Sequence, residues 1–268
     1  MLNRLIGFIG AGKMAQALIT SLLDTNTVGC GQIIVGNRNQ EKLELLQKET
    51  CVQVAANNIE VAKKSSILFL TVKPQDMDSL LDEIKDTVKE DQIIISIAAG
   101  ISIEQLESKL KAKVVRVMPN TPCIVGEMAA GYSFGKGIKN DDKTAVEELL
   151  NAAGVAIEVE EEKLDAVTGL SGSGPAFVAL LIQAFQEAGT NQGLNKEEST
   201  KLAVQTFLGT AKLLKEKEIS AEELIKIVAS PGGTTEKGLE VLNNSNIKEL
   251  IENAVVAAAR RSKELRSK

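Results

Sequence analysis

The chain has 268 residues, 44% of them hydrophobic, and a formal net charge of -5 with acids and bases interspersed. A sizeable core is therefore expected, but no basic face that would hold a nucleic-acid backbone. The sequence contains no histidine, which removes the commonest general acid, the commonest metal ligand and every Ser–His or Cys–His nucleophile. Its three cysteines, Cys30, Cys51 and Cys123, are an odd number without close spacing, so neither a disulfide framework nor a bound metal is expected. No run approaches the ~20 uninterrupted apolar residues of a membrane span, and the start lacks a signal-peptide pattern. A cytoplasmic protein without a membrane partner is the expectation.

In chain order, the first β-rich run is 5–9, ending at Ile9, and it leads directly into Gly10-Ala11-Gly12-Lys13-Met14-Ala15. This is a G-x-G-x-x-A fingerprint between a strand and a helix. Gly10 permits the tight turn, Gly12 lets the backbone approach a pyrophosphate, and Ala15 permits close helix–strand packing. The alternative is a glycine-rich structural turn. The second run, 33–35, ends in Gly36-Asn37-Arg38-Asn39, and no acid follows until Glu41. An NAD enzyme places Asp or Glu there for the ribose hydroxyls. Asn37 and Arg38 instead suit a 2′-phosphate, so NADP is favoured over NAD.

Further β-rich runs at 67–72, 92–97, 114–118 and 155–159 alternate with helical patterns, which predicts a doubly wound, mainly parallel sheet. Three loops follow the carboxyl ends of these strands, where open α/β sheets bind ligands: Val72-Lys73-Pro74-Gln75, Ile97-Ala98-Ala99-Gly100 and Met118-Pro119-Asn120-Thr121-Pro122. Each can line the nicotinamide half, and Pro74, Pro119 and Pro122 stiffen two of them.

From 163 onward the β-rich runs stop and helical periodicity takes over at 175–188, 196–217, 221–229 and 247–265. The runs 177–182 and 254–259 are apolar all round and must be enclosed. A second subunit is the expected cover, and a compact monomeric bundle is the alternative. Two glycine-rich segments precede helices, 168–175 with Ser171 and Gly172, and 230–235 with Ser230, Gly233, Thr234 and Thr235. With Pro175 at a first helical position and Thr234 or Thr235 as N-cap, both would present free N–H groups suited to a carboxylate. Flexible linkers are the plainer alternative.

The segment 168–175 followed by 230–235, together with the first-strand fingerprint, Val72-Lys73-Pro74, Asn120-Thr121-Pro122 and Asp165-Ala166-Val167-Thr168, resembles the pyrroline-5-carboxylate reductases over essentially the whole chain. The resemblance implies an NADPH-dependent reductase, with NADH as an alternative cofactor, acting on a small cyclic imine. It also implies a Rossmann domain over 1–162 and an all-helical dimerisation and substrate-binding domain over 163–268. A homodimer through the C-terminal helices follows, and an oligomer of dimers is left open.

Carried over by position, the dinucleotide contacts fall on residues 9–14, Asn37, Asn58, Val72-Lys73 and Ile97-Ala98-Ala99. The substrate falls on Gly233, Thr234 and Thr235, with the Thr235 hydroxyl facing the imine nitrogen. Ile227 departs from the polar residue some relatives carry before Ser-Pro-Gly-Gly. Two rival readings stay open: a β-hydroxyacid dehydrogenase, which relies on a catalytic lysine in a glycine-rich and asparagine context that none of Lys196, Lys201 and Lys212 follows, and a non-catalytic NADP-binding dimer.

Overall fold

Short runs of isoleucine, leucine and valine form the centre of an eight-stranded sheet, seen in a computed structural model that describes residues 4–266. The strands are β1 (Ile6–Ile9), β2 (Ile33–Gly36), β3 (Gln53–Val54), β4 (Ile67–Leu70), β5 (Ile93–Ser96), β6 (Lys113–Met118), β7 (Met128–Phe134) and β8 (Gly154–Glu158). They lie in the order β3-β2-β1-β4-β5-β6-β7-β8. Pairing is parallel from β3 through β6, antiparallel between β6 and β7, and parallel again between β7 and β8. The chain order reverses between β1 and β4, and such a switch point opens a ligand crevice at the carboxyl ends of the strands.

β1, β2, β4 and β5 are buried throughout, as strands covered on both faces must be. Alternate side chains divide between two cores: Phe8, Val35, Phe69 and Ile95 enter one, Ile34, Leu68, Leu70 and Ile94 the other. Parallel register sets Phe8 beside Phe69, whose rings stack with centroids 4.6 Å apart.

The helices on these faces are α1 (Lys13–Asp24), α2 (Gln40–Thr50), α3 (Asn58–Lys64), α4 (Met77–Ile84), α5 (Ile103–Lys109) and α6 (Asn140–Asn151). Side chains cap several of them in the ordinary way: Asn39, Asn57 and Ser102 accept from backbone N–H groups of α2, α3 and α5.

Neither β3 nor β7 was expected from the sequence. β3 has only two residues, and β7 reads Met-Ala-Ala-Gly-Tyr-Ser-Phe, poor in the β-branched residues that mark a strand. What β7 needs is thinness: a Cβ on Gly131 would stand 2.7 Å from the Val167 side chain.

Packing divides the chain into two compact units, Met1–Ser173 with Val256–Lys268, and Gly174–Val255. This division falls inside the first glycine segment, 168–175, later than the 162/163 position suggested by the end of β-rich sequence. It also returns the end of the last helix to the first unit. In that unit α7 (Leu164–Val167) follows β8. The buried Asp165 on it accepts from the Ser262 hydroxyl at 2.8 Å and pairs with Arg266 at 3.1 Å, fastening the end of the final helix.

The second unit is helical: α8 (Gly174–Asn191), α9 (Lys196–Lys217), α10 (Ala221–Val228), α11 (Thr234–Asn243) and the start of α12 (Ile247–Arg266). α8 and α9 pack as a hairpin, with Phe185 edge-on to Phe207 at 5.2 Å and the Thr190 and Ser199 hydroxyls 3.2 Å apart. Ala203 and Leu224 are its buried hydrophobic residues, whereas Leu180, Ile227 and Val241 are about two-thirds exposed at 65%, 69% and 71%. The helical run 161–191 is long and apolar enough, by length and composition, to cross a membrane. Exposed apolar area on this scale marks an interaction surface.

Candidate functional site

The turn after β1 begins with a glycine that no other residue replaces without strain. Gly10 has φ +109°, and a Cβ there would lie 2.9 Å from both the carbonyl and hydroxyl oxygens of Thr71. Its N–H donates to the Gly36 carbonyl at 2.8 Å. The Thr71 hydroxyl lies 2.9 Å from the Ile9 carbonyl and 2.8 Å from that of Gly10, so one proton serves both and joins the ends of β1 and β4.

Gly12 is the N-cap of α1, and no side chain caps this helix. A Cβ at Gly12 would meet nothing within 4 Å, so here the missing side chain leaves an open ledge in front of the first-turn N–H groups. Ala15, one turn in, is fully buried against the sheet. Unbonded N–H groups and the positive end of the helix together make a seat for a phosphate.

The end of β2 closes one side. Asn37 accepts from the Ala11 N–H at 3.4 Å and donates to the Asn39 carbonyl at 3.2 Å, tying the two loops together. Arg38 reaches across to Asp76, 3.4 Å away, in the single 3₁₀ turn Pro74–Asp76 that follows β4. A cleft of about 280 Å³ lies between these elements. Ile9, Gly10, Ala11, Gly12, Asn37, Arg38, Asn58, Val72 and Lys73 line it, which brings together nine of the residues singled out from the sequence. Thr71, Lys42, Gln75, Asp76 and Leu80 complete the wall. Of these, Gln75 closes the loop singled out after β4, whereas Thr71, Lys42, Asp76 and Leu80 carry no motif.

The remaining candidates lie outside this lining. Lys13 and Met14 open α1, and Pro74 opens the 3₁₀ turn. Ile97, Ala98 and Ala99 follow β5, with Ala98 buried. Asn120 is buried, and its amide is spent on structure, donating to the Ser171 carbonyl at 3.1 Å and accepting from the Ala129 N–H at 2.9 Å. That contact places Ser171 beside the loop after β6. Gly172 is as close, since a Cβ on it would stand 2.9 Å from the Met118 methyl.

The segment 168–172 corrects an expectation. It does not present a free helix N-terminus but forms a π-helical turn joining α7 to α8. The Ser173 N–H donates to the Thr168 carbonyl at 2.8 Å, and the Ser171 hydroxyl donates to Val167 at 3.1 Å. Residues without bulk let the helix widen there, a local irregularity that concentrates at functional positions.

The segment 230–235, in the second unit, does end in a helix N-terminus, but its N-cap is Gly233 rather than Thr234 or Thr235. Gly232 sits at φ +70°, the Gly233 N–H donates to the Ser230 carbonyl at 2.9 Å, and α11 begins at Thr234 with no side-chain cap. Glu236 reaches back to the Gly232 N–H at 2.7 Å. Thr234 and Thr235 thus form the first turn, with Thr234 exposed and Thr235 partly covered. The two helices that start at the sequence motifs, α1 and α11, both begin at a bare glycine and lack a side-chain cap.

Burial pushes the Cys123 thiol up to about 11, which keeps it protonated and inert near neutral pH. Among the described residues, no group of three or more acids and cysteines is placed to hold a metal ion.

Comparison with known proteins joins these features. Residues 161–265 match a family model described as pyrroline-5-carboxylate reductase dimerisation, and residues 5–100 match one described as NADP oxidoreductase coenzyme F420-dependent. The chain is 39% identical to a pyrroline-5-carboxylate reductase of Methanosarcina acetivorans, with 100% of both chains covered. It is 37% identical to one of Arabidopsis thaliana, over 97% of this chain and 95% of the relative. Among solved structures, a pyrroline-5-carboxylate reductase from Coxiella burnetii superposes with a TM-score of 0.95 at 36% identity, covering 98% of this chain and 99% of that one. A pyrroline carboxylate reductase of Plasmodium falciparum with NADP bound gives 0.86 at 33% identity, covering 99% of each.

Proposed function

The chain belongs to the pyrroline-5-carboxylate reductase family, and from that premise we propose that it reduces 1-pyrroline-5-carboxylate to L-proline with NADPH, the last step of proline biosynthesis, NADH being the alternative hydride source. The observation that carries this reading is the uncapped, glycine-fronted terminus of α1 beside a strand end followed by Asn37 and Arg38 in place of an acid. A diphosphate fits the first feature and a 2′-phosphate the second.

We assign the cofactor to Ile9, Gly10, Ala11, Gly12, Lys13, Met14, Asn37, Arg38, Asn58, Val72, Lys73 and Pro74, with Ile97, Ala98, Ala99 and Asn120 toward its nicotinamide half. Ala98 and Asn120, being buried, contribute backbone and loop shape. Ser171, Gly172, Ser230, Gly233, Thr234 and Thr235 are assigned to substrate. The N–H groups of the first turn of α11 suit a carboxylate, each contact contributing ~0.3–1 kcal/mol where exposed.

Bound NADPH supplies a hydride for the imine carbon. A protonated cyclic imine already carries the proton its nitrogen needs, so the chain has to supply position rather than a strong acid. A protein without histidine suffices for that. Thr235 orients the ring and hydrogen-bonds at its nitrogen.

The domains are assigned as 1–162 for the cofactor and 163–268 for dimerisation and substrate. The same reading makes the protein a cytoplasmic homodimer through its C-terminal helices, and the dimer the building block of any larger assembly. Exposed apolar side chains spread over α8, α9, α10, α11 and α12 support this. A second copy can cover five helices, whereas a membrane would cover only the one run that could cross it.

The test is loss of NADPH absorbance on adding pyrroline-5-carboxylate, with NADH and a β-hydroxyacid pair run alongside. Rapid oxidation with the imine alone supports the reductase; nucleotide binding without turnover supports the non-catalytic reading. Thr235→Ala should lower kcat by ~10–100-fold. An unchanged kcat would remove Thr235 from the reaction.

A further inference from the structure

Four charged residues line the cleft, Arg38, Lys42, Lys73 and Asp76, and they are not equivalent. Arg38 is engaged, its guanidinium 3.4 Å from the Asp76 carboxylate on the opposite wall. Lys42, in the first turn of α2, lines the same cleft, and no carboxylate pairs with it among the described residues. Asp76 is the residue before α4, yet its side chain caps nothing there. Its carboxylate is therefore held by Arg38 and not by the fold.

The carboxyl end of β2 is where a Rossmann site meets the ribose 2′ position. Any 2′-phosphate there brings about -1.5 to -2 charges. Arg38 and Asp76 cancel each other at that place, which leaves Lys42 as the standing positive charge on the β2 side, Lys73 belonging to the loop after β4. A phosphate that pairs with Arg38 must lie within a few ångströms of Asp76 or displace it. Either course opposes the phosphorylated cofactor and leaves an unphosphorylated one untouched.

Building on the cofactor reading above, we propose that Lys42 is the resident cation of the 2′-phosphate subsite and that Asp76, by occupying Arg38 across the cleft, limits the preference for NADPH over NADH. Selectivity is then set by an acid on the β4 side of the cleft as well as by the residues after β2. Neither residue is buried, so both can be replaced without disturbing a core.

The experiment is titration of the full-length protein with NADPH and NADH, followed by cofactor fluorescence, with adenosine 2′,5′-bisphosphate and AMP as competing probes. Asp76→Asn should tighten NADPH and the bisphosphate by ~3–10-fold while NADH and AMP move less than about twofold. Lys42→Gln should weaken NADPH and the bisphosphate by a similar factor and flatten the dependence of their binding on salt. An NADPH-to-NADH affinity ratio unmoved by either substitution overturns the proposal, even if both nucleotides bind well. Failure of the unaltered protein to bind either nucleotide overturns the reading of the cleft itself, and the subsite with it.

Discussion

The two units bury their apolar residues in opposite ways. In the first, a sheet covered by helices encloses two large hydrophobic clusters, and strands such as β4 and β5 expose almost nothing. In the second, α8 to α11 carry comparable apolar residues but hide few of them, and Leu180 and Val241 remain mostly open. A sheet closes its core within one chain, because crossovers return helices to both faces. Helices apolar all round cannot hide every side within so small a unit, and the faces left open are apolar.

The sharpest way to break this contrast is a cavity in the sheet. Phe69→Ala should cost about 3–5 kcal/mol, the stacked partner Phe8 being left beside a void. Thermal melts should fall by the same amount at all protein concentrations. A strong concentration dependence would mean that the first unit too relies on a partner.

The converse change is Leu180→Glu on α8. If a second copy covers that face, the dimer dissociation constant should rise ~10–100-fold, matching the ~1.5–3 kcal/mol of burying a leucine. Sedimentation across a dilution series would show it. Identical sedimentation of variant and parent as monomers would return the helical half to a self-contained bundle.

The smallest expected effect lies in an ion pair of the first unit. Burial pushes the Asp142 carboxyl up, but Lys113 at 2.7 Å, the Lys139 N–H and Arg4 outweigh it, and the net shift is below the ordinary value of 3.8. A lowered carboxyl stabilises the fold above that value, and the contribution is lost as pH falls below it. Asp142→Asn should therefore melt lower than the parent near neutral pH, the gap closing under acid. A gap independent of pH would mean that the asparagine alters packing rather than charge.

Much of the cofactor half was legible because its requirements are local. A strand, a glycine with positive φ, a bare helix start and a missing acid all fall within 6–41, and eight of the site residues marked there or after β4 line one cleft. Asp76 and Lys42 were not legible, since nothing in their neighbours shows that the turn after β4 faces the start of α2. The glycine segments show the same limit from another side. Their composition announced irregular backbone, but the choice between an internal π turn at 168–172 and a true helix start at 234 depends on where each N–H finds an acceptor.

By itself the sequence determined six of the eight strands, the helical second half and what chemistry is absent: the alternation of β-rich and helical runs, the fingerprint, and the lack of histidine are properties of short stretches and of composition. Tertiary structure alone decided that β7 runs antiparallel, that the end of α12 belongs with the sheet through Asp165, and that Arg38 meets an acid across the cleft. The physical reason is range. Periodicity and backbone preference act over a few residues, whereas ion pairs and edge pairings join positions whose distance along the chain says nothing of their distance in space.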